Sequence, residues 1–377
     1  MKFAFVIFKY FPFGGAQRDM MRIAQESVKR GHSVHILTLS WEGPAPEHGV
    51  AMEVLQGRGW MNHQRYRDFI AQVREKISGG AFDLVVGFNR LPGLDAYFAA
   101  DPCFLERSHQ RRNPLHRLSG RHRFFAACER AVFAPESGCE ILLLSPAEKA
   151  AFQRWHHTPE ARFHLIPPVL LPERLQLGDR AQIRASVREE FGFAEHDRIL
   201  LLVGSGFKTK GLDRAMQGLS SLPESLRHKT RLVAVGQDNP GDFERMARKM
   251  RLAPQVRICG GRSDIPRLMQ GSDLLVHPAY RENTGLVLLE AMACGLPVLA
   301  SDVCGYAPHV LDSGAGLLVK SPFMQGEFNR LLQEMLDADA TGWRGRGLDY
   351  AKILMAQNDG SAEVRLLEVF AKERGAR

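Results

Sequence analysis

The sequence predicts an α/β protein built from two doubly wound, Rossmann-like parallel-sheet domains. Three observations carry that prediction. Short apolar strands alternate with helix-patterned stretches from Phe3 onward, the alternation restarts with a new first strand at Ile199, and Pro167, Pro168 and Pro172 separate the two series. Alternation of this kind gives parallel sheets covered by helices on both faces. Prolines so close together exclude a helix through the junction. A chain of 377 residues is also longer than one core sustains. We place the first domain at 1–168 and the second at 169–356. The tail 357–377 is assigned to the first domain, because Val364, Leu366, Leu367, Val369 and Phe370 recur at helical spacing and need cover.

In chain order, FAFVIF reads as a buried first strand, GGAQRDMMRIAQESVKRG as a helix closed by Gly31, and HSVHILTLS as the next strand. RYRDFIAQVREKIS is a helix, DLVVGF and EILLLS are strands, and RFHLIPP is the last of the first series. The second series runs ILLLVG, a loop GFKTKG, a helix, RLVAVG, a helix, VRICGG, a short helix, DLLVHP, a helix and PVLAS. The apolar N-terminus is short, is broken by Lys9 and leads into Gly14 and Gly15, so it reads as a strand and not as a signal peptide.

Bulk properties narrow the class. Apolar residues make up 45% of the chain, without a run long enough for a membrane span. Six cysteines are scattered without CxxC or other metal-type spacing, which predicts reduced thiols and a cytoplasmic protein. A net charge of +8 points to an anionic partner: nucleic acid, a membrane surface or a phosphorylated substrate.

The most informative stretch is HPAYRENTGLVLLEAMACGLPVLAS, His277 to Ser301. An apolar strand exits into a polar loop, and the pattern predicts a helix over 284–293 that stops at Cys294 and Gly295. The amides of Asn283, Thr284, Gly285 and Leu286 at such a helix start, backed by the helix dipole, suit a phosphate. Glu282 and Glu290 stand eight residues apart, at most about 12 Å along a helix. One carboxylate can address a hydroxyl group before the phosphates and the other a hydroxyl beyond them, as a nucleotide-diphospho-sugar requires. Taken alone, Glu282 also fits a helix cap. Glu290 sits among Val287, Leu288, Leu289, Ala291 and Met292, where a carboxylate needs a hydrogen-bonding partner.

Ligands of parallel sheets gather at the carboxyl ends of strands, and the remaining candidates fall there. Gly14 and Gly15 follow the first strand, with Asp19 just inside the helix; Lys210 follows ILLLVG and Arg262 follows VRICGG. Two glycines permit close backbone approach, and the two cations suit a diphosphate. Neither first strand is followed by G-x-G-x-x-G or a Walker loop, so a dehydrogenase or P-loop ATPase has no support. Asp337-Ala338-Asp339 reads as a solvated helix end, and no metal is expected.

Between Arg107 and Arg130 the cations Arg107, Arg111, Arg112, Arg117, Arg121 and Arg123 face one acid, Glu129. Leu115, Leu118, Phe125 and Cys128 give this stretch an apolar edge, which fits the headgroup layer of an anionic membrane. A merely solvated face is the competing reading; nucleic acid is not expected, since no recognised module or aromatic platform accompanies the charge.

With the Glu282-x7-Glu290 pattern flanked by HPAYRENTG and EAMACGLPVLAS, the chain resembles the retaining family 4 glycosyltransferases of GT-B fold, in which two Rossmann-like domains face an interdomain cleft. The runs KYFPFGGAQRDMMRIA, GHSVHILTLSWEG, VVGFNRLPGLDAYFAAD, SLPESLRH and VCGYA resemble the branch of that family that builds the lipopolysaccharide core of Gram-negative bacteria. The resemblance covers nearly the whole chain. It implies transfer of a hexose, glucose by default, from a UDP-sugar to an inner-core heptose of lipid A-linked core, at the cytoplasmic face of the inner membrane and without a metal or other cofactor. It further implies that Glu282 meets the sugar hydroxyls and Glu290 the ribose, and that Lys210, Arg262 and the amides of 283–286 meet the diphosphate. Gly14 and Gly15 would lie close to the phosphates, Asp19 and Asp101 on the acceptor side, and Arg174 would add a cation. The loop GFKTKG departs from the family where Thr209 precedes Lys210 in place of a second cation. Two alternatives stay open at this level: a UDP-sugar epimerase, which would convert UDP-sugar without an acceptor, and a non-catalytic basic binding protein, which would not bind UDP saturably.

Overall fold

A computed structural model describes every residue except 13, 47, 48, 111–113, 171–174, 176, 177, 376 and 377. The chain divides into two compact units, residues 1–167 with 360–377, and residues 168–359.

The first unit holds a seven-stranded, all-parallel sheet in the order β3-β2-β1-β4-β5-β6-β7. Its strands are β1 Lys2–Tyr10, β2 Ser33–Trp41, β3 Val50–Val54, β4 Leu84–Gly87, β5 Ala96–Ala99, β6 Glu140–Leu143 and β7 Phe163–Leu165. Successive side chains of a strand point to opposite faces, and β1 shows the result. Ala4, Val6 and Phe8 enter one core with Phe69, Val73 and Phe133, whereas Phe3, Phe5 and Ile7 enter another with Met20 and Ile23. Both faces are therefore sealed by helices, as the continuous apolar run FAFVIF requires.

The second core also takes in the C-terminal helix, Ala362–Gly375, through Val364, Leu367 and Phe370. Leu366 is only partly covered and Val369 remains exposed. Two ion-pair groups tie this helix to the unit. Buried Arg22 reaches the Gly360 carbonyl at 2.8 Å and pairs with buried Glu363. Glu368 accepts from Arg30 at 2.8–2.9 Å and lies 2.7 Å from the His32 ring.

The second unit repeats the plan with six parallel strands in the order β10-β9-β8-β11-β12-β13. These are β8 Arg198–Val203, β9 Thr230–Val235, β10 Val256–Cys259, β11 Leu274–His277, β12 Val298–Ser301 and β13 Gly316–Val319. Again alternate residues feed two cores, Ile199 and Leu201 into one, Leu200 and Leu202 into the other. The chain order reverses between β8 and β11, the place in such a sheet where ligands collect.

The three short strands β3, β5 and β13 have no counterpart among the sequence-based strands. β3 lies at a sheet edge and is only half covered, so it lacks the apolar run that marks a buried strand. Among the described residues no helix is long and apolar enough to cross a membrane. The six cysteines are free thiols.

Candidate active site

Lys210 and Glu282 come together at the switch point of the second unit. Lys210 ends a one-turn helix, Phe207–Lys210, in the loop after β8; Glu282 lies in the loop after β11; and β8 and β11 are hydrogen-bonded neighbours. The Lys210 ammonium donates to Glu282 Oε2, and the ring of His277 approaches the same oxygen at 3.2 Å. Burial alone would raise the Glu282 carboxyl. The hydrogen bond from His277 and the Lys210 charge outweigh it and hold the group at about 2.

The two loops are stitched along their length. The Tyr280 amide donates to the Thr209 carbonyl at 2.8 Å, and Arg214 reaches the carbonyls of Pro278 at 3.1 Å and Ala279 at 3.0 Å. The Arg214 guanidinium is sandwiched between the Tyr280 ring at 3.6 Å and the Phe323 ring at 3.7 Å. Asp213 takes hydrogen bonds from Lys208 at 2.5 Å and the Tyr280 hydroxyl at 2.8 Å. Gly211 joins the helix carrying Lys210 to the next with φ +81°, and a Cβ there would be driven into the Pro278 carbonyl. Only glycine lets the loops close to this distance.

A third loop clamps Glu282 from the other side. Residue 282 forms a parallel bridge with Cys304, and the Tyr306 amide donates to the Thr284 carbonyl at 2.7 Å. The run VCGYA, legible in the sequence only as part of a resemblance, therefore shapes the site. The helix behind the loop spans Leu286–Ala293, two residues shorter than predicted. Gly285 adopts φ +84°, a left-handed turn that cannot continue a helix, so the helix starts after it. Leu288, Leu289, Ala291, Met292 and Ala293 are buried, whereas Leu286, Val287 and Glu290 form a half-covered face. Glu290 thus stands on the accessible side of the helix and not within its packed side.

Other expected residues are placed elsewhere. Arg262 follows β10, the edge strand, with β9 between it and β8. Its guanidinium grips Asp264 at 2.7–2.8 Å and Glu190 at 2.7 Å. Those hydrogen bonds raise it above the ordinary arginine range, and it makes no contact with Lys210 or Glu282 among those found. Arg174 lies outside the described residues. Asp337 ends the helix Gln325–Asp337, and Asp339 accepts from the Thr341 amide at 3.0 Å in the turn before the next helix.

In the first unit Gly14 and Gly15 precede and begin the helix Gly15–Lys29. A Cβ at Gly14 would collide with the Gln17 amide, whereas Gly15 faces open space. Asp19 lies 3.8 Å from Arg22, and Asp101 is exposed in the loop after β5.

In the basic stretch, Arg107, Arg121 and Arg123 are exposed and Arg117 is half-covered; 111 and 112 lie outside the described residues. The expected apolar edge is shorter than predicted. Leu115 is 68% and Leu118 75% exposed, but Cys128 is buried and Phe125 packs against the core. Glu129, the one acid of the stretch 107–130, is fully buried. It accepts from Arg90, from the amides of Phe104 at 2.6 Å and Leu105 at 3.0 Å, and lies 3.0 Å from the His156 ring. Burial would raise it, and these donors together lower it. Cys103, Glu129 and His156 have metal-ligand spacing among the described residues. With Arg90 and two amides already on its oxygens, Glu129 is instead the buried acceptor that starts the helix Phe104–His109.

Comparison with known proteins identifies the family and the fold. A model of glycosyl transferases group 1 matches residues 183–342, and a model of glycosyltransferase family 4 matches 13–174. The lipopolysaccharide glucosyltransferase WaaG of Escherichia coli (strain K12) is 44% identical over 88% of this chain and 89% of its own length. A crystal structure of WaaG, a glycosyltransferase involved in lipopolysaccharide biosynthesis, superposes with a TM-score of 0.91 at 40% identity, over 98% of this chain and 99% of that one. Anabaena Alr3699/HepE, solved in complex with UDP-glucose, shares the fold at a TM-score of 0.74 and 18% identity over the whole of both chains. The GT-B expectation of two Rossmann-like parallel sheets is met, and the chain belongs to the family 4 glycosyltransferases.

Proposed function

We propose that this glycosyltransferase moves a hexose, glucose by preference, from a UDP-sugar to the inner-core heptose of lipopolysaccharide, with retention of configuration. The observation that carries the reading is the Lys210–Glu282 pair at the switch point of the second unit, beside the start of the helix Leu286–Ala293. Glu282 takes the sugar hydroxyls, Lys210 and the amides of 283–286 the diphosphate, and Glu290 the ribose. Arg262, engaged by Asp264 and Glu190, joins them only by leaving those partners. Gly14 and Gly15 serve the phosphates, and Asp19 and Asp101 the acceptor.

In the reaction the bond from the sugar carbon to the diphosphate breaks, a heptose hydroxyl oxygen bonds to the same face as its O–H proton passes to the departing phosphate, and UDP leaves. Negative charge grows on the departing diphosphate, so fixed cations and amides favour the transition state over the ground state. Lys210 and the helix start supply that charge, and the reaction proceeds without a metal. The similarity to the lipopolysaccharide glucosyltransferase WaaG supports the choice of glucose and lipopolysaccharide. The exposed arginines with Leu115 and Leu118 support reversible attachment to the anionic cytoplasmic face of the inner membrane.

The test offers a panel of UDP-sugars to the full chain with truncated core lipopolysaccharide, with and without EDTA. UDP release and a product heavier by one hexose, unchanged by EDTA, are expected. Conversion of UDP-sugar without acceptor, or product formed only when metal is restored, overturns the corresponding part.

A further inference from the structure

His277 is the last residue of β11 and is fully buried. Its Nε2 faces Glu282 Oε2 at 3.2 Å, and its Nδ1 has no hydrogen-bond partner. The one polar tie of this ring among the described residues is therefore the Glu282 carboxylate. A buried nitrogen left unpaired costs stability. An apolar residue would pack there without that cost, so the imidazole is explained by what it does to Glu282.

Glu282 is held unevenly. Oε2 takes both Lys210 and His277, whereas Oε1 takes no hydrogen bond among those found. A carboxylate pinned through one oxygen presents the other to a ligand in a fixed direction. The two restraints differ in kind. Lys210 reaches Glu282 along a flexible four-carbon stem, and on the donor-site reading the same ammonium is needed at the diphosphate. His277 projects from a strand hydrogen-bonded on both sides, to β8 and β12, and has no second client.

We infer that His277 is a positioning residue that keeps Glu282 aimed at the donor sugar while Lys210 passes from Glu282 to the diphosphate. This rests on the donor-site reading above. Without His277, the Glu282 carboxylate loses the second of its two side-chain restraints at the moment the donor draws Lys210 away. Sugar recognition then suffers while nucleotide recognition does not.

The test compares the unsubstituted chain with His277→Ala, His277→Gln and His277→Asn, using calorimetric titration with UDP and with UDP-glucose and steady-state transfer kinetics. Loss of a hydrogen bond to a charged group corresponds to about ten- to a hundredfold. The expected result is equal UDP affinity throughout, a His277→Ala chain whose UDP-glucose affinity and kcat fall by about that factor, and recovery in His277→Gln, whose amide nitrogen reaches the same oxygen. His277→Asn, one carbon shorter, is expected to behave as His277→Ala does. If His277→Ala fails to fold, the Gln and Asn pair decides, since equal behaviour of the two overturns the inference. So does an unchanged UDP-glucose affinity and kcat in His277→Ala. An unsubstituted chain that binds neither UDP nor UDP-glucose overturns the donor-site reading and this inference with it.

Discussion

Glu282 and Lys210 have opposite charges, share one hydrogen bond, and serve different parts of the proposed donor. Replacement of either by Ala is expected to reduce turnover about a hundred- to a thousandfold with little change in far-UV circular dichroism; near-normal transfer would remove that residue from the site. Glu129 makes a contrasting case, because its partners are all structural. Glu129→Ala leaves Arg90 buried and the amides of Phe104 and Leu105 unsatisfied. The expected cost is about 3–5 kcal/mol in chemical denaturation. At this scale the sequence was a partial guide. Glu282 and Lys210 were legible because both follow apolar strands. Arg262 follows one too, but strand order in the sheet, which places β10 at the edge, is not written in local spacing. His277 was visible in the strand exit without a role, since its tie to Glu282 appears only when the loop folds back. Glu129 read as a surface counter-charge because nothing in its neighbours along the chain announces Arg90 and His156.

Between elements, the site depends on the distance at which two loops can run side by side. Gly211→Ala adds a side chain where the Pro278 carbonyl lies and forces a left-handed residue, itself worth about 1–2 kcal/mol. It is expected to separate Lys210 from Glu282, lowering kcat by at least tenfold while the melting temperature falls only slightly; full activity would show that the loops tolerate separation. The C-terminal helix gives an element-scale prediction in pH. Hydrogen bonds from Arg30 and His32 lower the Glu368 carboxyl from 4.5 to about 2. A depressed carboxylate contributes stability that is complete above its unfolded value and is lost as pH falls through the folded one. The tie of this helix should therefore weaken between about pH 4.5 and 2. Stability measured across that window should fall less steeply for Glu368→Gln, and parallel curves would overturn the assignment. The sequence already required cover for Val364, Leu367 and Phe370, which the structure supplies. The ionic ties were not legible, because Arg22, Arg30 and His32 stand more than 330 residues away.

Across the whole molecule, the net charge of +8 is partly concentrated in one stretch of the first unit. With Glu129 withdrawn into the core, Arg107, Arg117, Arg121 and Arg123 have no acid of their own stretch at the surface. Vesicles containing anionic lipid are expected to carry the protein upward in flotation at moderate salt. Replacement of these four arginines by Gln should abolish that, each being worth about 1 kcal/mol near such a surface; unchanged flotation would sink the membrane reading. The return of residues 360–377 to the first unit bears on how the chain is made. Synthesis proceeds from the N-terminus, and domains fold as they emerge. The first sheet is therefore translated long before the helix that seals one of its faces, while the second unit is complete before that helix exists. During translation the apolar face around Phe3, Phe5 and Leu84 has the helix Gly15–Lys29 against it but lacks Val364, Leu367 and Phe370, and the first unit is expected to reach full protease resistance only after residues 360–375 have emerged.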